Sequence, residues 1–264
     1  MDKSKLLDKA ASPEDRLTLA HVLDKWEQAR SRNIPAATDF LTPVQRTAAE
    51  DILRQSGASP ADYLAFGGYD GAERQILLFL PDWLEPEDAG DQLPLRYLRA
   101  SYRPEYSLTH RDLLGSLMGL GIVREKVGDI LVTPDGADLV VLDSVAEFLM
   151  QSWDTAGRAR LTVTEIGPEV LHIPKLQVQE IRDTVATVRL DAVASTGFRL
   201  SRGKAAALIE SGKVQVNWRE CVKPDKPLSA GDTVTARGLG KFRLKEVGAP
   251  TKKGRIPIVV ERYV

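Results

Sequence analysis

Between Arg189 and Glu246 the chain packs two helical segments, a hairpin signal and a dense set of cations into fewer than sixty residues. Segments so short bury their apolar faces only by closing on one another, so this stretch must be a small self-contained α+β module. Ser201 is a hydroxyl cap ahead of a helix over Arg202–Ser211, whose buried positions are Ala205, Leu208 and Ile209 and whose stop is Gly212. Arg189–Ala194 forms a shorter helix, ended by Ser195-Thr196-Gly197, and Val214 and Val216 alternate as a strand does.

Charge separates this end of the chain from the rest. From Ile181 onward there are 17 Lys and Arg against 8 Asp and Glu, about +9, whereas residues 1–180 hold 19 against 29, about −10. That asymmetry points to a polyanion-binding end joined to a body with another task. The single cysteine, Cys221, rules out an internal disulfide framework, and His21, His110 and His172 are too scattered for a metal-ligand set. Neither cofactor nor metal is expected. The charges within Met1–Ala10 and the lack of any long apolar run predict a cytoplasmic protein with no membrane association, and a monomer.

The acidic body reads as two further units. Ser12-Pro13-Glu14-Asp15 starts a helix with an apolar stripe at Leu19, Val22, Leu23 and Trp26, where Trp26 is a core residue. Thr42-Pro43 with Gln45 starts a second, continued by Val44, Ala48 and Ile52 up to Gly57. Tyr63–Phe66 and Gln75–Leu80 form a hairpin around Gly67-Gly68-Tyr69-Asp70-Gly71, which lacks the context of a phosphate loop. Pro81–Pro94 is the first boundary.

Beyond it come a strand over Leu95–Tyr102 and a helix capped by Thr109 and Asp112, carrying Leu113, Leu114, Leu117 and Met118. An alternating strand Ile122–Val127 then turns at Gly128-Asp129 into Ile130–Val132, and Asp138–Leu142 is another strand. A helix marked by Val145, Phe148 and Leu149 and a strand over Leu161–Ile166 complete the unit. This β-α-β-β-α-β succession, with one extra strand, is the ferredoxin-like pattern of many RNA-binding sheets, although their aromatic stacking motif is missing. Arg124 and Lys126 would share one strand face, and His110-Arg111 would occupy a helix's first turn, which makes these four the secondary candidates for RNA or ribosome contact. Pro168–Pro174 reads as a linker, with Lys175–Val188 leading into the basic module. The expected fold is therefore α+β in three small units: helices plus hairpin over 1–88, a ferredoxin-like domain over 89–168 and the basic module over 182–247, followed by a tail strand over 248–264.

In the basic module Arg199, Arg202 and Lys204 converge on the first turn of the helix that Ser201 caps, where backbone N–H groups lack acceptors. Cations there oppose the helix dipole by a few tenths of a kcal/mol. Something anionic must compensate them, and a phosphate backbone is the natural candidate. Ser201 itself, with Arg189, Lys213, Asn217, Arg237, Lys241 and Arg243, extends the expected contact surface, so that structured RNA recognised by shape is the expected partner.

Arg189-Leu190-Asp191, Ser201-Arg202, Ile209, Gly212-Lys213-Val214-Gln215-Val216-Asn217, Gly231-Asp232 and Arg237-Gly238 fall in the order of an S-four-type RNA-binding domain, named after a small-subunit ribosomal protein. Val216-Asn217-Trp218, with Trp where many such domains have Gly in the turn, and the runs Arg237-Gly238-Leu239-Gly240-Lys241-Phe242 and Lys252-Lys253-Gly254-Arg255 resemble the bacterial YlmH family. So do Phe66-Gly67-Gly68-Tyr69 before Ala72-Glu73-Arg74, Thr109-His110-Arg111-Asp112-Leu113-Leu114-Gly115, and the stretch from Gly119 to Ile130. The resemblance spans nearly the whole chain. It implies association with the large ribosomal subunit and tRNA, in rescue of stalled translation, and the gene neighbourhood of such proteins adds a link to cell division.

Other classes compete with this reading. Domains of the S-four type also precede pseudouridine synthases and methyltransferases, but too little chain follows Arg189-Leu190-Asp191 for a catalytic domain, and no glycine-rich nucleotide loop follows a strand. Asp191 is expected to be structural, and Cys221 has no neighbouring base. A protein-binding adaptor, in which RNA binding only localises an acidic docking body, remains open.

Overall fold

The computed structural model describes residues 7–8, 12–174 and 177–263, arranged as two compact units, Met1–Pro174 and Lys175–Val264. Most of Met1–Ala10, the first two residues of Lys175–Val188 and the last residue of the tail lie outside the described residues.

Helix α1 (Pro13–Arg32) starts as its sequence dictates: Ser12 accepts the Asp15 N–H at 3.1 Å and Pro13 takes the first position. It buries Leu19, Val22, Leu23 and Trp26. After strand β1 (Ala36–Ala37), helix α2 (Pro43–Gln55) opens on a complete Thr42–Gln45 capping box. Its buried residues are Ala49, Ile52 and Leu53, whereas Val44 is exposed because it lies on the other side of the helix. Strands β2 (Tyr63–Phe66) and β3 (Ile76–Phe79) form the expected antiparallel hairpin, with β1 on the other side of β3.

The second half of this unit is a four-stranded antiparallel sheet of β4 (Leu95–Ser101), β5 (Val127–Thr133), β6 (Gly136–Leu142) and β9 (Thr162–Ile166), in the order β5-β6-β4-β9. Helices α3 (His110–Gly119) and α4 (Asp143–Ser152) pack on one face, burying Leu98, Leu139 and Val141 against Leu113, Leu117 and Leu149. A short hairpin, β7 (Thr155–Ala156) with β8 (Ala159–Arg160), precedes β9. In order of appearance the main strands lie 4-1-3-2, the ferredoxin-like arrangement. One expectation fails here. Residues 124–126 form a 3-10 turn rather than a strand, and Gly128-Asp129 lies inside β5 at a bulge instead of at a hairpin turn. The alternation of Ile122–Val127 reflects one buried residue at each end of that turn.

The opposite sheet face, which carries bases in RNA-stacking sheets, is covered. Val140, Leu142 and Leu95 pack against Phe40 and Ile76, with Phe66, Tyr69 and Tyr97 at the margin. Gly68 sits at φ +99, and a Cβ there would meet Val140 at 2.7 Å, so the glycine loop lies directly on the sheet. Further along, Arg99 and Asp138 pair through two 2.7 Å hydrogen bonds, and they hold the end of the 166–174 segment through Val170 O and the His172 N–H.

The second unit is a six-stranded antiparallel sheet with two helices. Strand β10 (Val178–Val185) leads to α5 (Leu190–Gly197) and α6 (Arg202–Glu210). Then follow β11 (Val214–Val216), β12 (Arg219–Glu220), β13 (Thr233–Ala236), β14 (Gly240–Val247) and β15 (Ile256–Tyr263). The order is β10-β15-β14-β13-β11-β12. Leu190, Val193, Ala205 and Ile209 of the helices pack on Val214, Val234, Phe242, Leu244 and Val260. The tail strand expected over 248–264 is β15, which lies inside the sheet with ladders to β10 and β14. β10 itself carries no alternating apolar pattern, since only Val185 of it is buried.

Candidate nucleic-acid interface

Ser201 caps α6 as expected, with its Oγ accepting the Lys204 N–H at 3.3 Å. Arg199 precedes it in the left-handed conformation, φ 56, which turns the chain sharply out of α5. The cations collected here are not equivalent. Arg202 donates through Nε and Nη2 to Asp191 Oδ2, both at 2.8 Å, and Asp191 is 6% exposed. The other carboxylate oxygen accepts the Ala192 N–H at 2.9 Å and lies 3.5 Å from Arg189 Nε. The anion that Arg202 requires at a helix start is thus supplied internally, which confirms a structural role for Asp191 and makes Arg202 partly structural too. Arg199 and Lys204 are exposed, and among the described residues neither has an ion pair or a side-chain hydrogen bond.

The remaining expected contacts do not join these in one continuous surface. Lys213 and Arg237 are exposed neighbours, since the Arg237 N–H donates to Lys213 O at 3.0 Å, but they lie at the other end of α6. Nine residues of helix separate the two groups by roughly 13 Å. Lys241 and Arg243 alternate along β14 with the buried Phe242 and Leu244, and so point to the sheet face turned away from the helices. Asn217 is engaged in the fold: its Nδ2 donates to Asp232 Oδ1 at 2.7 Å and its Oδ1 accepts the Thr233 N–H at 2.9 Å. It clasps the β11–β12 turn to the start of β13. Lys245 is neutralised by Glu261 at 2.8 Å and Glu180 at 3.2 Å.

Two aromatic residues outside the expected set flank Lys241, whose Nζ lies 5.6 Å from the Trp218 ring centre and 5.2 Å from that of Tyr263. Trp218 had a signal in the sequence, the replacement of the usual turn glycine. Tyr263 had none, because its neighbour across the sheet is remote in the chain.

The four secondary candidates in the first unit also separate. Arg124 Nη1 donates to the carbonyls of Val127 and Gly128, and burial together with the adjacent Arg74 guanidinium pushes its pKa down to about 10. Lys126 Nζ pairs with Asp39 Oδ1 at 2.7 Å. Both side chains therefore hold neighbouring segments, and the shared strand face expected for them does not exist because the 3-10 turn splays them apart. Arg74 completes this region, donating to Val127 O and Phe40 O, while Asp129 accepts from the Tyr69 hydroxyl and the Glu73 and Arg74 N–H groups. His110 and Arg111 do lie in the first turn of α3, whose Thr109–Asp112 capping box is complete. Desolvation and the nearby Arg124 hold His110 below its usual pKa, which disfavours the charged ring.

Comparison with known families matches three segments of the chain. Residues 14–82 match "YlmH, N-terminal", residues 96–169 match "Putative RNA-binding domain in YlmH" and residues 188–234 match the S4 domain. A curated relative, "Ribosome-associated protein quality control protein P2" of Bacillus subtilis (strain 168), is 35% identical over 227 residues, covering 85% of this chain and 86% of the relative. A solved structure titled "Cell division protein ylmH from Streptococcus pneumoniae" superposes with a TM-score of 0.51 at 20% identity, over 61% of this chain and 96% of that one. At that identity the likeness concerns the fold.

Proposed function

The chain belongs to the YlmH family, and on that premise we propose that it is a non-catalytic RNA-binding factor acting in the quality control of stalled translation. It works in the cytoplasm as a monomer, docked on the large ribosomal subunit in contact with ribosomal RNA and tRNA. The name of the Bacillus relative supports the process. The observation that carries the RNA contact is the start of α6, where Arg199 and Lys204 stand exposed beside first-turn N–H groups and, among the described residues, have no carboxylate partner. Such a group holds a phosphate by charge and by backbone donors, without reading a base. Arg189 and Arg202 set the geometry around it through Asp191, and Lys213, Arg237, Lys241 and Arg243 supply further phosphate contacts. His110 and Arg111 offer a weaker contact on the first unit.

Crosslinking in cells followed by sequencing of the bound RNA tests this assignment. Large-subunit ribosomal RNA together with tRNA is the expected yield; messenger or small-subunit RNA in their place would overturn it. The non-catalytic reading has its own test, incubation of the purified protein with ribosomal RNA and S-adenosylmethionine. No methylated or pseudouridylated nucleotide is expected, and detection of either would make the protein an RNA-modifying enzyme.

A further inference from the structure

We infer that Trp218, Lys241 and Tyr263 form a stacking site for an unpaired RNA base on the sheet face opposite α5 and α6, separate from the phosphate contacts at the start of α6. The inference rests on the RNA-binding reading above and adds a second surface to it.

The β-ladder puts the site together. Phe242 pairs with Arg262, so Lys241 faces Tyr263 across the β14–β15 ladder. Lys241 also pairs with Thr235, and Thr235 with Gln215, so these four residues form one row across β15, β14, β13 and β11. Residues paired across a sheet share a face. This row alternates with Phe242, Val234 and Val216, which are buried beneath the helices, and it therefore occupies the outer face. Trp218 reaches the row from the β11–β12 turn.

The turn is the less expected part. Asn217 and Trp218 take φ 49 and φ 65 in succession, the backbone of a two-residue hairpin turn for which Asn-Gly is the usual pair. A residue with a Cβ is disfavoured at the second position. Trp218 does not repay this by joining the core, since it belongs to none of the buried clusters of the unit. It remains half-buried, with its ring against the Lys241 ammonium. Strain held at an aromatic residue outside the core is a mark of a site rather than of packing.

Two rings beside a cationic row suit a nucleotide, because the base stacks on the rings while the exposed Arg243 meets the phosphate. Arg243 and Thr233 lie on the same face in the next row. Among the described residues, Glu261 and Glu180 nearby are engaged by Lys245, Arg182 also pairs with Glu180, and Glu220 lies at the far edge of the first row.

The test is fluorescence anisotropy on the full chain with two labelled probes, decauridylate and an RNA duplex, comparing wild type, Trp218→Gly, Tyr263→Leu and Lys204→Glu. Glycine suits the backbone at position 218, so Trp218→Gly should keep or raise the thermal midpoint. It should weaken decauridylate binding roughly 5- to 100-fold, the range for loss of one stacked base, with duplex binding within about twofold of wild type. Tyr263→Leu should act the same way more weakly, and Lys204→Glu should chiefly impair the duplex. Decauridylate affinity within about twofold of wild type in Trp218→Gly, equal losses on both probes, or no decauridylate binding by wild type would each overturn the stacking site. If wild type bound neither probe, the RNA-binding reading would fall with it.

Discussion

Asp191 shows how one buried side chain sorts a group of similar cations into different roles. It is nearly inaccessible, yet it engages Arg202 at 2.8 Å twice and has Arg189 close by. A charge-assisted hydrogen bond contributes about 1.5–3 kcal/mol when sheltered, but the Arg202 side chain is 55% exposed, so solvent screening reduces its share to about 1 kcal/mol. Arg202→Ala should therefore lower stability by about that amount as well as weakening RNA binding. Lys204 has no ion-pair partner among the described residues, so Lys204→Glu should weaken RNA binding and leave the unfolding midpoint in place. Chemical denaturation alongside an RNA titration separates the two; an unchanged stability for Arg202→Ala would mean that the Asp191 pair adds nothing. The sequence marked both cations as candidates equally, because the pairing of residues 191 and 202 depends on how α5 and α6 cross.

At the scale of elements, local signals in the sequence carry through to the fold and remote pairings leave little trace in it. The caps at Ser12, Thr42, Thr109 and Ser201 are all present, since each is a hydrogen bond between residues three apart. The β10–β15 pairing has no local signature because its two strands lie at opposite ends of the unit. The 3-10 turn at 124–126 carries the pattern of a strand because a buried residue at each end of a tight turn mimics alternation. Close approach between elements was equally hidden: a Cβ at Gly197 would lie 2.4 Å from the Phe242 ring, so α5 rests directly on β14. Gly197→Ala should accordingly destabilise the protein by about 1–3 kcal/mol, read as a lower midpoint in denaturant, and an unchanged midpoint would mean that the contact relaxes freely. The Arg99–Asp138 clasp carries a pH prediction. Burial alone would raise the Asp138 carboxyl, but hydrogen bonds from Arg99 and the His172 N–H outweigh it and hold the group below its ordinary value. A depressed carboxylate stabilises the fold above its unfolded-state pKa, near 3.9, and that contribution disappears as the pH falls through the folded value. Acid unfolding of Asp138→Asn should show a shallower dependence on pH below about 4 than the wild type.

For the whole molecule, the charge segregation visible in the sequence follows the division into two units. The first unit covers its own sheet, on one face with α3 and α4 and on the other with Phe40, Ile76 and the glycine loop, so its ferredoxin-like architecture does not offer the open face of an RNA-stacking sheet. The cations of the second unit are spread over the start of α6, the Lys213–Arg237 pair and the outer sheet face. RNA affinity should therefore fall with salt along a log–log slope corresponding to about 3 to 6 phosphates, and a flat response would point to protein contacts instead. The central claim is that the start of α6 anchors the chain on RNA. Co-sedimentation of the Arg199→Glu/Lys204→Glu double variant with ribosomes, checked for an unchanged unfolding midpoint, tests it most directly. The account predicts a folded protein that no longer co-sediments; a folded variant that co-sediments as wild type would contradict it.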